Sequence, residues 1–129
     1  MTAEKPRILC VDDDPDILSY LETVLESEGY EFVGAGSAEE GLQAYRKAPP
    51  DLIILDLMME EVDAGTEFVK DLKLLGSDVP IFLLSSVGDN LSMTTDYSAL
   101  GLAGIFQKPI DRVVFLNVLR AALPASQPV

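Results

Sequence analysis

The run "DLIILDL" at residues 51–57 is the clearest indication of the fold of this 129-residue chain. Four consecutive apolar residues stand between two aspartates, so an extended segment here would carry apolar side chains on both faces. Strands buried on both faces are typical of a parallel sheet that is covered by helices on each side. The run therefore predicts a central strand that is closed by Asp56.

Further apolar segments of similar length lie on both sides of this run, and each is followed by a segment with helical spacing. The predicted strands are 7–11, 30–35, 51–57, 79–86 and 103–107. The predicted helices run from Pro15 to Gly29 and from Ser37 to the residue before Pro49, and then over about 66–75, 91–100 and 111–122. Five such repeats predict an α/β fold, a doubly wound (βα)5 three-layer sandwich with right-handed crossovers.

Two helix starts carry capping signals. Asp14 stands before Pro15, so its side chain is predicted to cap the first helix, with the proline at the first helical position. Ser37 and Glu40 have the spacing of a capping box for the second helix. Asp14 is therefore assigned to helix capping rather than to metal binding.

Composition narrows the possible functions. Nine Lys and Arg stand against 22 Asp and Glu, which gives a net charge of -13. This charge argues against nucleic-acid binding by the chain itself and suits divalent cations or a basic patch on a partner protein. The absence of histidine removes the common zinc ligand and any phosphohistidine within the chain. No apolar run has the length of a signal peptide core or a membrane span, so we expect a cytoplasmic location and no membrane contact.

The polar residues at the ends of the predicted strands indicate one site. In open parallel sheets, ligands bind beyond the carboxyl ends of the strands. These ends carry Asp12 and Asp13, then Asp56, then Ser85, and finally Lys108. Two carboxylates about 4 Å apart repel by roughly 4 kcal/mol at an effective dielectric constant near 20. An all-oxygen site of this kind favours Mg²⁺ or Mn²⁺, and a carboxylate beside a metal, a hydroxyl and a lysine suits phosphoryl transfer to Asp56.

These motifs together resemble the receiver domain of two-component response regulators over about residues 5–122. The resemblance is carried by "VDDDP" (11–15), "LIILDLMM" (52–59), "VPIFLLSS" (79–86) and "QKP" (107–109), in this order. It implies a flavodoxin-like sheet with strand order 2-1-3-4-5 and a receiver domain over residues 1–122. The stretch 123–129 is rich in proline and small residues, and we expect a disordered tail or the start of a linker there.

The resemblance implies a role for each matching residue of the acidic set. Asp56 corresponds to the phosphoacceptor. Asp12 and Asp13 correspond to the pair that holds Mg²⁺ together with Asp56, and the backbone carbonyl of Met58 would be a further ligand. The implied donor is a phosphohistidine on a sensor histidine kinase or phosphotransfer protein.

The remaining matches complete the implied site. Ser85 corresponds to the hydroxyl residue that senses the phosphoryl group, and Lys108 to the family's lysine. Pro109 corresponds to the proline that follows a cis peptide bond in the family. The implied protein catalyses its own phosphorylation and dephosphorylation and is not a metabolic enzyme. Its output would pass through the last two helices and the fifth strand to an effector domain or a second copy of the chain.

Two departures from the family pattern concern the conformational change on activation. Ile105 stands three residues before Lys108, where the family usually has an aromatic residue that turns inward on activation. Phe106 is next to it and could supply the ring only if the strand register slipped by one residue. The loop after the phosphoacceptor reads "MMEEVDAG" (58–65), with Glu60 in the usual proline position.

Three alternatives stay open at this point. A degenerate receiver would keep the fold and bind partners without phosphorylation. A flavodoxin-like cofactor binder needs a phosphate-binding loop after the first strand, where this chain has three aspartates that would repel phosphate. An aspartate-nucleophile phosphohydrolase typically has a second acid two residues after the nucleophile, where this chain has Met58.

Overall fold

A computed structural model of the chain describes residues 5–56, 72–74, 76, 79–85, 103–107 and 110–123, with the backbone alone at residue 85. Its strands are β1 (Arg7–Val11), β2 (Glu31–Ala35), β3 (Leu52–Asp56), β4 (Ile81–Ser85) and β5 (Gly104–Gln107). All pair in parallel in the order β2-β1-β3-β4-β5, which confirms the predicted sheet.

The described ranges contain three long helices, α1 (Pro15–Ser27), α2 (Ala38–Lys47) and α3 (Arg112–Ala122). Residues 72–74 are helical, inside the helix predicted at 66–75. The rest of that segment and the helix predicted at 91–100 lie outside the described residues. Among the residues described, no helix is both long and apolar enough to cross a membrane.

Strand β3 lies in the middle of the sheet, and all five of its residues are buried, as the apolar run predicts. Because side chains alternate along a strand, β3 contributes to a separate core on each face of the sheet. Leu52 and Ile54 belong to the core that also receives α1 and α3, whereas Ile53 and Leu55 belong to the core that receives α2. Asp56 is the last residue of this buried strand and lies at its carboxyl end.

Both predicted helix caps, at Asp14 and Ser37, are present in the structure. The Asp14 side chain accepts a hydrogen bond from the backbone N–H of Asp16 at 2.9 Å, and Pro15 opens α1, as predicted. Ser37 accepts from the backbone N–H of Glu40 at 3.1 Å. The carboxylate of Glu40 reaches back one residue further than a standard capping box does, to the N–H of Gly36 at 2.8 Å.

The second strand begins one residue later than predicted, at Glu31. The backbone N–H of Tyr30 donates to the carbonyl of Leu25 at 3.0 Å, so Tyr30 belongs to the turn that ends α1. Gly29 makes this turn possible because its φ is +86°, a conformation that L side chains rarely adopt.

Aromatic packing attaches α3 to the sheet. Phe106 of β5 stacks on Phe82 with ring centroids 5.3 Å apart and meets Phe115 of α3 edge-on at 5.0 Å. Arg120 also reaches Glu28 at the end of α1, with 2.7 Å between nitrogen and oxygen. That ion pair is about half exposed on the arginine side and is worth at most about 1 kcal/mol. Apolar burial therefore contributes most to the docking of α3.

Candidate functional site

The candidate site begins where β1 and β3 end side by side. Val11, the last residue of β1, pairs with Leu55, and the next residue on each strand is an aspartate, Asp12 and Asp56. The parallel register therefore brings together two carboxylates that are 44 positions apart in the sequence. The prediction that strand ends collect these side chains at one edge is confirmed for this pair.

Asp13 completes a group of three acidic side chains. One carboxylate oxygen from each of Asp12, Asp13 and Asp56 lies within 4.8 Å of the other two. Asp12 is completely buried and Asp56 is 3% exposed, whereas Asp13 is exposed. The site is thus a pair of buried carboxylates with a third one at its open side.

The electrostatics of this group favour a bound cation. Two full charges at a separation of 4.8 Å repel by about 3–4 kcal/mol at an effective dielectric constant near 20. Burial adds a desolvation cost for Asp12 and Asp56, and that cost is recovered only beside a positive charge or hydrogen-bond donors. Three carboxylate oxygens within this reach are a donor set that fits a hard divalent cation such as Mg²⁺ or Mn²⁺.

Two backbone contacts hold Asp12 in place. Its own N–H donates to the carbonyl of Ala35, the last residue of β2, at 3.0 Å. Its carboxylate oxygen Oδ1 accepts from the backbone N–H of Asp14 at 2.9 Å. The second contact is not among the predicted ones, although an aspartate two residues before another residue's N–H at a turn is the signal for it.

The other predicted site residues are only partly placed. Ser85 is the last residue of β4 and pairs with Gln107, so its backbone lies at the same edge of the sheet as Asp56. Its side chain, together with Met58, Lys108 and Pro109, lies outside the described residues. The roles given to these four residues remain predictions.

Ile105 and Phe106 differ in burial and lie on opposite faces of the fifth strand. Ile105 pairs with Leu83 and is 39% exposed, whereas Phe106 pairs with Leu84 and is 6% exposed. Phe106 lies in the core beneath α3 and not on the face that Ile105 occupies. The pairing of β5 with β4 thus fixes the burial of both side chains, and the switch role considered for each of them remains a prediction.

Cys10 lies two residues before Asp12 and is completely buried. Burial raises the pKa of its thiol strongly, and the nearby negative charge of Asp12 raises it further. Above about pH 8.5 an exposed thiol loses its proton, so the unfolded chain is deprotonated while the folded one is not. The folded chain then binds more protons, and its stability must fall as the pH rises.

We therefore expect the free energy of unfolding to fall above pH 8.5, by a slope approaching about 1.4 kcal/mol per pH unit between pH 9 and 10. Urea unfolding of the wild type and of Cys10→Ala at pH 8, 9 and 10 measures this slope. The variant loses stability at every pH through its cavity, but the extra slope should be absent. Parallel pH profiles for the two proteins would contradict the assignment. The pKa of Tyr30, also raised by burial, would contribute only above about pH 10.

The chain matches a known protein family over most of its length. A family model described as the response regulator receiver domain matches residues 8–120. The chain therefore belongs to the receiver domain family of response regulators in two-component systems. The predicted family and fold are both confirmed.

Individual relatives agree with this placement. The chain is 32% identical over 131 residues to the transcriptional regulatory protein GlrR of Escherichia coli, covering 99% of this chain and 28% of that protein. It is 40% identical over 122 residues to the probable transcriptional regulator ycf27 of Guillardia theta, covering 92% of this chain and 46% of that protein. The chain thus spans less than half the length of either of these curated relatives.

Solved structures show the same fold over nearly the whole chain. The chemotaxis response regulator CheY4 of Vibrio cholerae aligns with a TM-score of 0.82 at 30% identity, covering 92% of this chain and 99% of that one. The receiver domain of NtrX from Brucella abortus aligns with a TM-score of 0.82 at 27% identity, covering 92% of this chain and 99% of that one. Here the β1 and β3 ends of that fold carry the three neighbouring carboxylates.

Proposed function

We propose that the chain is a phosphoacceptor switch that takes a phosphoryl group onto Asp56. The observation that carries this proposal is the convergence of Asp12, Asp13 and Asp56 at one sheet edge, within 4.8 Å of one another. The donor would be a phosphohistidine of a sensor histidine kinase or of a phosphotransfer protein. Membership of the receiver family supports this assignment of donor and acceptor.

In the proposed reaction, a carboxylate oxygen of Asp56 attacks the phosphorus atom of the donor. The new P–O bond forms as the P–N bond of the phosphohistidine breaks, and the imidazole nitrogen keeps the electron pair. The products are an acyl phosphate on Asp56 and an imidazole on the partner, which leaves as the neutral ring because its other ring nitrogen carries a proton. Because Asp56 is only 3% exposed, the donor must approach from the open side of the site, where Asp13 lies.

Residues around the acceptor would offset the negative charge of the transferred phosphoryl group. Asp12, Asp13 and Asp56, with the Met58 carbonyl, would hold Mg²⁺ or Mn²⁺, which when bound offsets the charge on the phosphoryl oxygens. Lys108 would supply a second positive charge, and the Ser85 hydroxyl would donate to one phosphoryl oxygen. Pro109 would fix the chain after Lys108.

We further propose that the acyl phosphate changes an interaction surface formed by β5 and the last two helices. The partner on this surface would be an effector domain or a second copy of the chain.

The relatives named transcriptional regulators are more than twice as long as the chain, so a transcriptional output would reside in a further domain. The net charge of -13 argues against DNA binding by the receiver itself. Residues 1–122 would form the receiver and 123–129 a tail or linker, in a cytoplasmic protein.

Incubation with acetyl phosphate tests the proposal. In a gel that retards phosphoproteins, the wild type should shift when Mg²⁺ is present and should not shift without it. Asp56→Asn should abolish the shift. Asp51→Asn should leave it intact, since Asp51 is an exposed aspartate at the other end of β3 that accepts from the backbone N–H of Arg7.

The same experiment separates the phosphoacceptor from a degenerate receiver. A degenerate receiver, which binds partners without phosphorylation, should give no shift with Mg²⁺ in the wild type. A shift that survives in Asp56→Asn would show that another group accepts the phosphate. Either result would overturn the proposal.

A further inference from the structure

Asp14 joins the candidate site to the first helix through four hydrogen bonds. Its backbone N–H donates to Oδ1 of Asp12 at 2.9 Å, and its side chain accepts from the N–H of Asp16 at 2.9 Å. Its carbonyl accepts from the N–H groups of Ile17 and Leu18 at 3.1 and 3.2 Å. One residue therefore fixes both the start of α1 and the orientation of the buried carboxylate.

The direction of the Asp14 N–H depends on the backbone of that residue. Asp14 has φ −94° and ψ 110°, an extended conformation that the following proline favours. The cap to Asp16 stabilises the same conformation, because an N-cap residue must keep its backbone outside the helical region. Loss of the cap would let this backbone relax, and the N–H would then no longer be held towards Asp12.

We propose that Asp14 is a positioning residue for the divalent cation and not one of its ligands. Its side-chain cap keeps its own backbone N–H directed at Oδ1 of Asp12. This hydrogen bond fixes the orientation of the Asp12 carboxylate. Partners of this kind, which orient a ligand without touching the metal, typically change metal affinity about 10- to 100-fold when removed. This inference rests on the proposed cation site at Asp12, Asp13 and Asp56.

The capping role and the charge of Asp14 can be separated by substitution. Asp14→Asn and Asp14→Ser remove the negative charge and keep a side-chain oxygen that can cap α1. Asp14→Ala removes both. If Asp14→Ala does not fold, Asp14→Gly replaces it, since glycine at an N-cap costs the helix little although it has no capping oxygen.

The chain offers a matched control in Asp111. Asp111 caps α3, and its side chain accepts from the N–H groups of Val113 and Val114 at 2.9 and 3.1 Å. Asp111→Ala therefore removes the same charge and the same type of cap, whereas Asp111→Asn removes the charge and keeps a capping oxygen. Both of those hydrogen bonds are to its own helix. A general loss of helix stability should affect the Asp14 and Asp111 variants alike.

Titration with Mn²⁺ alone, followed by the electron paramagnetic resonance of the free ion, measures affinity in each variant. We expect Asp14→Ala to bind about tenfold more weakly than wild type. Asp14→Asn and Asp14→Ser should stay within about twofold in 0.15 M salt, where exposed charges are screened. Both Asp111 variants should match wild type. If Asp14→Asn and Asp14→Ala weaken Mn²⁺ binding equally, the charge of Asp14 and not its cap determines the affinity. If Asp14→Ala binds Mn²⁺ as tightly as the wild type, Asp14 has no positioning role. Either result would overturn the inference.

Two further measurements keep this test apart from the test of the cation site. Asp12→Asn should abolish Mn²⁺ binding, and if the wild type shows no binding that depends on Asp12, the proposed cation site fails and the inference fails with it. Without any cation, the amide proton of residue 14 should exchange slowly in wild type and Asp14→Asn, and faster in Asp14→Ala. Equal exchange rates would contradict the positioning geometry even if the cation binds.

Discussion

Replacing Phe106 by alanine is expected to lower the free energy of unfolding by about 3–5 kcal/mol, the cost of removing a buried aromatic side chain. Phe106 is 6% exposed and contacts the rings of both Phe82 and Phe115, so its loss opens a cavity between β4, β5 and α3. Urea unfolding followed by circular dichroism measures the difference. The slope of the unfolding free energy against urea should stay constant if both proteins unfold in two states.

Ile105→Ala is the matched control for this prediction. Ile105 is the adjacent residue on the same strand and is 39% exposed, so its truncation should cost about 1 kcal/mol or less. Equal losses for the two variants, or a larger loss for Ile105→Ala, would contradict the register between β4 and β5. The pair therefore tests whether Phe106 packs in the core while Ile105 lies on the more exposed face of the strand.

Mg²⁺ is expected to stabilise the folded chain by about 2.7 kcal/mol at a concentration 100 times its Kd, because the proposed cation site exists in the folded state and not in the unfolded one. The three carboxylates come together only when β1 and β3 pair, so the unfolded chain has no equivalent site. Urea unfolding with and without Mg²⁺, at constant ionic strength, measures this difference.

Asp12→Asn should remove most of the Mg²⁺-dependent stabilisation. Without Mg²⁺ the same variant should be at least as stable as the wild type, because it removes one of three mutually repelling charges within 4.8 Å. Asp51→Asn should keep the Mg²⁺ response. A Mg²⁺ response of equal size in wild type and Asp12→Asn would contradict the assignment of Asp12 as a ligand.

Much of this structure could be predicted from local patterns. The apolar run 51–57 predicted a strand buried on both faces, and β3 has that position and burial. Asp14 and Ser37 were predicted as caps from their immediate neighbours in sequence, and both side chains accept the expected hydrogen bonds. The proximity of Asp12 and Asp56 followed from the rule that parallel strands end at a common edge.

Other features depend on contacts between distant segments or on side-chain conformation. Which of Ile105 and Phe106 is buried depends on the pairing of β5 with β4, which a single strand does not encode. The reach of Glu40 to Gly36 instead of Ser37 depends on how one side chain is oriented. The hydrogen bond to the Asp12 carboxylate comes from the backbone N–H of Asp14, and residue types alone predict such a bond only weakly. The roles of Lys108, Met58 and Pro109 stay predictions.

Locating the phosphoryl group shows whether Asp56 is the phosphoacceptor. After incubation with acetyl phosphate and Mg²⁺, borohydride reduction converts an aspartyl phosphate to homoserine, and peptide mass spectrometry identifies the reduced residue. We expect homoserine at position 56 in the wild type and none when Mg²⁺ is omitted. Homoserine at any other aspartate, or none in a protein that the gel shows to be phosphorylated, would contradict it.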